Sequence, residues 1–439
     1  VTTQAATTQS ATEAPTTSLP LKSWIFSTDD HLLETSCDFR SRVPAKFADE
    51  APRVVDHEGG DAWLINGTPV PFTFGDAGGR YVLGTQKRPG IRMKLQKELL
   101  IGYDFGDEDA EQDQTPAGIR RNQGLVRYAE DFQPGVYDVR ARLSDMDADG
   151  VWVSVTIPSI SFGFAGQRLS MGKDQELGLA TVRAYNDWLH EQVAGANPER
   201  FVCSAIPWLA DPVIGAEEIR KNAARGFTAL LFPENPERFG LPSIHSGHWE
   251  PMLAACEETG TVLNVHLGTG LQSLRPSSDS PIVVGKSAFS VNSALSAFDL
   301  VFSGIPLRYP DIRISFTEGG IDFVPLVYGR LNSLGDEDLL DWKADIRPGE
   351  AFLRNFWFAA LVDIGAYDFL AKHCPDHMML ETDYPHGDTW WPGSQEYFAE
   401  RLVNFTDEEL SKIALKNAAA LYRHEIPNVP TGTIDNRIR

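Results

Sequence analysis

Cysteine is scarce in this chain: four in 439 residues, Cys37, Cys203, Cys256 and Cys374, far apart and with no CxxC pair. That excludes a disulfide-framed scaffold and fits a reducing cytoplasm. Positive charge is also short. The 39 Lys and Arg face 61 Asp and Glu, a net charge of -22, which repels nucleic acid and anionic membranes and removes both as expected partners. No apolar run reaches bilayer-spanning length. Residues 1–20, rich in Thr, Ala, Ser and Gln, have neither a basic start nor an apolar core, so they read as a disordered tail and not a signal peptide. No GxGxxG or GxxxxGK[ST] opens a helical pattern, and no GxSxG elbow or cysteine nucleophile motif occurs. With 42% apolar and 23% charged residues, the chain has the composition of a large soluble enzyme, and a cytoplasmic location is expected.

What is present begins at Lys22–Glu34, KSWIFSTDDHLLE. Trp24, Ile25 and Phe26 suit a buried strand, and Asp29, Asp30, His31 and Glu34 follow at once. Burying so many charges is costly unless they are paired or hold a metal, and an Asp-x-His pair on an extended segment aims both side chains one way. Helix or turn capping by Asp30 or Glu34 is the competing reading.

Residues 35–148 then form a long Gly-, Pro- and charge-rich stretch with hairpin-like pieces AWLING, TPVPFTF and GRYVLGT, and an acidic run over 104–113 that suits a solvated loop. A connection of this length suits a lid or inserted subdomain. From 149 onward, apolar strand patterns at 150–158, 201–208, 227–234, 261–268, 311–320, 355–362 and 377–386 alternate mostly with helical ones. Gly226, Gly260 and Pro310 punctuate the helices. With the opening strand the count is eight, the arithmetic of a (β/α)8 barrel with a long insertion after strand 1. The expected division is a tail over 1–20, a barrel over 21–425 and a C-terminal tail over 426–439. An open doubly wound sheet is the alternative.

Three more strands end in ionisable groups: His266 before LGTG, Glu318 before Gly319 and Gly320, and Glu381-Thr382-Asp383 before Tyr384, Pro385 and His386. A lone buried His is usually a hydrogen-bonded core residue. Four such endings on one barrel converge on its carboxyl face.

DDHLLE, NVHLG, TEGGIDFVP, ETDYPHGDTWWP and KNAAALYR together resemble the amidohydrolase superfamily, and within it the amidohydrolase-related branch that includes aminocarboxymuconate-semialdehyde decarboxylase and γ-resorcylate decarboxylase. The resemblance covers about residues 22–425, apart from much of the insertion. It implies metal ligands at Asp29, His31, His266 and Asp383. Two positions depart from the decarboxylase pattern: Asp29 stands where many members have His, and Glu318 stands where they carry the acid/base His of a HGG-type turn. DDHxxE with EGG is similar to an oxygenase offshoot with a dinuclear iron or manganese site, such as the 2-aminoisobutyrate hydroxylase system.

The expected metal set is therefore Asp29, His31, Glu34, His266, Glu318 and Asp383, with Glu318, Asp383 and His386 as catalytic candidates. A carboxylate-rich set suits manganese or iron better than zinc. The leading expectation is O2-dependent hydroxylation of a small organic (amino) acid by two Fe or Mn ions. The alternatives are a hydrolase or non-oxidative decarboxylase with one Zn or Mn ion and Glu318 as general base, or a supporting subunit. A homo- or hetero-oligomer with a related barrel is expected. Trp208, Trp390 and Trp391 are candidate pocket walls, and Arg140, Arg142 and Arg354 are candidate substrate-carboxylate partners. His245 and His248 read as surface or capping residues, and His57, His190, His373, His377 and His424 as structural.

Overall fold

Eight apolar runs become eight parallel strands: β1 (Ile25–His31), β2 (Val151–Ile157), β3 (Phe201–Ala205), β4 (Ala229–Phe232), β5 (Val262–His266), β6 (Ile314–Thr317), β7 (Phe356–Ala360) and β8 (Met378–Leu380). They close in sequence order, β8 against β1, into a barrel. The (β/α)8 expectation therefore holds, and every expected strand is present. This is a computed structural model that describes residues 16–73, 120, 123–270, 274, 276, 277, 279–334, 342, 344–362, 365–426 and 433–435. The strands read as continuous apolar runs because a parallel barrel is covered on both faces.

The helices form where capping residues meet apolar spacing. Asp138, Asp174 and Asp211 accept backbone N–H bonds at the starts of α1 (Val139–Asp149), α2 (Gln175–Trp188) and α3 (Pro212–Ala224). Gly260, at φ 65°, ends α4 (Glu250–Thr259). Farther on lie α5 (Phe289–Phe302) and α6 (Val324–Leu334). Inside the barrel, Phe26, Val153, Val155, Val202, Ala229, Val262 and Met379 pack together with Tyr422. The Tyr422 hydroxyl donates to Asn264 Oδ1 at 2.9 Å. KNAAALYR is thus a helical segment that buries its apolar face against the strands.

The insertion contributes a three-stranded antiparallel sheet, Arg53–His57, Gly60–Ile65 and Thr68–Pro71. Trp63 from this sheet is buried against Phe39, Phe72 and Phe162, so the sheet joins the main core. GRYVLGT and the acidic run lie outside the described residues. The expected tail over 1–20 needs one correction. Thr16–Ser18 pairs antiparallel with Thr433–Asp435, because each extended segment satisfies the other's backbone groups, and Leu19 is buried beside Trp24. No helix among the described residues is long and apolar enough to cross a membrane.

Candidate metal centre

The centre is built on the carboxyl ends of β1, β5, β6 and β8. In β1 the pairing with β2 slips between Ser27 and Asp30, a bulge of the kind that re-aims side chains. Past the slip, Asp29 and His31 meet the ligands from the other strands, while Asp30 accepts bonds from the Thr382 hydroxyl at 2.7 Å and the Tyr384 N–H at 3.0 Å. The backbone of β8 is tied to β1 by His31 N–H to Tyr384 O at 2.7 Å and Asp383 N–H to Asp29 O at 2.8 Å. Both Glu318, at φ 61°, and Asp383, at φ 48°, sit in the left-handed region, a strained choice for residues other than Gly and one that clusters at functional sites. After Glu318 the chain needs glycine for space, since a Cβ on Gly319 would stand 1.9 Å from Ser293 Oγ.

These ends bring two imidazoles and three carboxylates together. His31 Nε2 lies 3.2 Å from Asp29 Oδ1, 3.3 Å from Asp383 Oδ1 and 3.3 Å from His266 Nε2. His266 Nε2 lies 3.2 Å from Asp29 Oδ2 and 3.4 Å from Glu318 Oε2. Ligands about 2.1 Å from one ion stand about 3.0–3.4 Å apart in octahedral or tetrahedral geometry, and the separations among Asp29, His31, His266 and Asp383 fall in that range. Two compact groups can hold an ion among the described residues: Asp29, His31 and His266, and His31, Asp383 and His386. They share His31, whose Nδ1 faces the Pro158 carbonyl at 3.2 Å. His266 Nδ1 likewise bonds the Leu267 carbonyl. Each Nδ1 therefore carries the proton and each Nε2 offers its lone pair to the centre.

The chemistry of the donors fits a divalent cation. Both oxygens of Asp29 and of Asp383 are buried without a hydrogen-bond donor, an arrangement that costs several kcal/mol unless positive charge balances it. Burial by itself would raise the Asp29 and Asp383 carboxyls, but the neighbouring imidazoles pull both below the ordinary carboxylate range. Burial would lower His31, and Asp29 and Asp383 instead push it well above the usual imidazole value. The carboxylates thus create a field that demands a cation. Glu318 behaves oppositely: burial and the charge of Asp383 push it up to about 8. At 15% exposure its side chain is also the most accessible carboxylate of the centre.

His386, the expected catalytic partner, lies with Nδ1 2.9 Å from Asp383 Oδ1 and 4.0 Å from Glu318 Oε1, its ring stacked on His31. Glu34 is not brought to the centre. Its two oxygens accept from the Ser159 N–H at 2.6 Å and hydroxyl at 2.9 Å, because the short helical turn at Glu34–Ser36 carries it toward the loop after β2. Its expected role as a metal ligand is corrected to holding that loop.

Arg142 is likewise not a substrate partner. It is buried, donates to the carbonyls of Gly135 and His31, and lies over the Tyr384 ring. Arg354 bonds Asn355 and the Pro306 carbonyl before β7, away from the ligand-bearing ends. Trp208 is core, and Trp391 donates to the Asp145 carbonyl. Sequence reasoning gave no role to three contributors. Phe164, at φ 60°, sets its ring 4.5 Å from that of His266. Glu381 receives the Glu318 N–H at 2.9 Å. Glu234 accepts the N–H groups of Gly268 and Gly270 just after His266. Only the last two carried a signal, as acids beyond apolar runs.

A closed (β/α)8 barrel with His and Asp ligands converging at its carboxyl ends defines a metal-dependent barrel enzyme. A family model for amidohydrolases matches residues 160–424, more than half of the chain, and the chain belongs to that family, in its amidohydrolase-related branch. The 2-amino-3-carboxymuconate-6-semialdehyde decarboxylase of Dictyostelium discoideum is 25% identical over 269 residues, 59% of this chain and 70% of that protein. An amidohydrolase from Mycobacterium avium subsp. paratuberculosis shares the fold at TM-score 0.69 and 20% identity, covering 92% of this chain and 99% of that one. A 5-carboxyvanillate decarboxylase from Novosphingobium aromaticivorans, complexed with manganese and 4-hydroxy-3-methoxy-5-nitrobenzoic acid, matches at TM-score 0.56 and 15% identity, covering 94% of this chain and 100% of that one.

Proposed function

We propose that the protein is a non-oxidative decarboxylase of a small organic acid, working with one divalent ion held by Asp29, His31, His266 and Asp383. The observation that carries this reading is the position of Glu318. It stands outside both compact ligand groups yet beside them, with Oε2 3.4 Å from His266 Nε2, and it is the most accessible carboxylate there, placed to exchange a proton with a bound substrate. A divalent cation in the centre supplies Lewis-acid polarisation of a substrate oxygen. Glu318 donates its proton to the carbon that carries the carboxylate. The C–C bond then breaks, its electron pair stays with that carbon framework, and CO2 leaves. His386, between Asp383 and Glu318, orients the acid and returns a proton to it from solvent. Phe164 packs its ring against the two imidazoles.

The sharing of His31 between the two groups favours one ion over the expected pair, since a single Nε2 cannot serve two. The withdrawal of Glu34 removes the ligand expected to complete or bridge a second site. Decarboxylase relatives favour the same alternative over O2-dependent hydroxylation. The test is to load the protein with Mn2+, measure metal per chain, and follow 13C-labelled bicarbonate release from hydroxybenzoic acids alongside O2 uptake. One ion per chain, CO2 release without O2 uptake, and a loss of about 100-fold or more in Glu318→Gln are expected. Two irons per chain with O2 consumption would refute it.

A further inference from the structure

A cleft of about 460 Å³ opens between the segment after β4 and helix α5, and none of the four proposed metal ligands lines it. Glu234, which is 8% exposed, is among the residues that line it. One of its oxygens is committed: Oε2 accepts from Gly268 N–H at 3.0 Å and Gly270 N–H at 3.2 Å. The other, Oε1, is buried with no hydrogen-bond partner. A buried carboxylate oxygen left unpaired costs free energy that a ligand donor would recover.

The walls of the cleft narrow the class of that ligand. Leu295, Phe298 and Phe302 of α5 present an apolar face, with Leu295 48% exposed. Glu237 and Asp299 add negative charge, against Arg238 and an imidazole, His245, that is already paired with Asp299 at 2.6 Å. Acidic residues therefore outnumber basic ones around an aromatic wall, the surroundings that suit an organic cation.

We propose that this cleft is a second small-molecule site, separate from the metal centre, that binds an organic amine with a short apolar stem. The ammonium group donates to Glu234 Oε1 and the stem lies along Leu295, Phe298 and Phe302. The loop that Glu234 holds continues directly from His266. Thr269 links the two as well: its hydroxyl donates to His266 O at 2.6 Å and accepts the Glu234 N–H at 2.9 Å.

The test uses the full chain and 1,4-diaminobutane as the probe, with 1,4-butanediol as its uncharged counterpart and succinate as an anionic control. Isothermal titration and thermal melts are expected to show saturable binding of the diamine, at least tenfold tighter than the diol, and none of succinate. Glu234→Gln keeps an acceptor for the glycine N–H groups and is expected to weaken diamine binding at least tenfold. If that variant does not fold, Leu295→Arg, a change at an exposed position, places a positive charge at the cleft wall and is expected to do the same. Equal binding of diamine and diol, no saturable diamine binding, or diamine affinity unchanged in a folded variant would overturn the proposal. The proposal does not depend on the decarboxylase reading, because binding is read without turnover.

Discussion

Replacing Arg142 by Met is expected to damage the metal centre from behind. Arg142 is 1% exposed, its Nε donates to Gly135 O at 2.7 Å, its Nη2 donates to His31 O, and its guanidinium lies 4.5 Å from the centre of the Tyr384 ring. Its charge also acts on Asp30, a buried carboxylate that burial raises to about 6 even with this cation nearby. Met fills much of the volume but leaves two buried carbonyls short of donors and Asp30 without its nearest positive charge. Breaking a buried charge arrangement of this kind costs about 3–5 kcal/mol. His31 and Tyr384 are the residues through which β1 and β8 hold Asp29, His31 and Asp383 in register. Residues that orient metal ligands change affinity by about 10–100-fold when removed. Urea unfolding and Mn2+ titration of the same preparation measure both effects. In the double variant with Asp30→Asn, which removes the stranded charge and keeps the acceptor for Thr382 and Tyr384, the losses are expected to fall short of additive by about 1–3 kcal/mol. A loss below about 1 kcal/mol with unchanged Mn2+ affinity would refute the positioning role.

Three further outcomes are expected. Asp383→Asn, which tolerates the left-handed backbone at φ 48°, is expected to abolish the rise in melting temperature caused by Mn2+; an undiminished rise would remove Asp383 from the ligand set. Glu34→Gln weakens two bonds to Ser159 and is expected to cost about 1–2 kcal/mol with full metal content retained, whereas loss of metal would return Glu34 to the centre. Asp149 is buried at the carbonyl end of α1, and burial raises it to about 8. A carboxyl raised above its unfolded value binds more protons when folded, so stability falls as pH rises from about 4 to about 8. Asp149→Asn keeps the acceptor for the Ser394 N–H and is expected to flatten melting curves across that window and to be more stable than the parent at pH 8; parallel pH profiles would count against it.

Much of the fold was legible because each barrel strand is short, apolar and followed by a polar break, a pattern that needs no tertiary information. His31, His266 and Asp383 were legible for the same reason: an ionisable group ending such a run has few places to go except the carboxyl face. Glu34 was not, because three residues past a strand the chain has left the barrel's geometry, and the direction of a helical turn decides where the side chain lands. Arg142 defeated sequence reasoning differently. An arginine in an insertion reads as a candidate partner for a substrate carboxylate until the fold shows α1 delivering it beneath β1 and β8.

The insertion therefore has a role that its length alone did not disclose. It was expected as a lid or inserted subdomain, and α1 reaches under the ligand strands, where Arg142 binds His31 O and Asp145 receives the Tyr384 hydroxyl at 2.5 Å. Asp145 is held in turn by Gln133 at 2.9 Å. These bonds join the insertion to both sides of the β8–β1 junction, which carries three of the four proposed ligands. The barrel closes at that junction through short β8, where one ladder pair, Leu380 with Ser27, is continued by the Asp30–Tyr384 bridge and its backbone bonds. Side chains from outside the barrel add to the hold of that short seam on the strained carboxylates. That reasoning places the determinants of metal affinity partly in a segment with no ligand of its own.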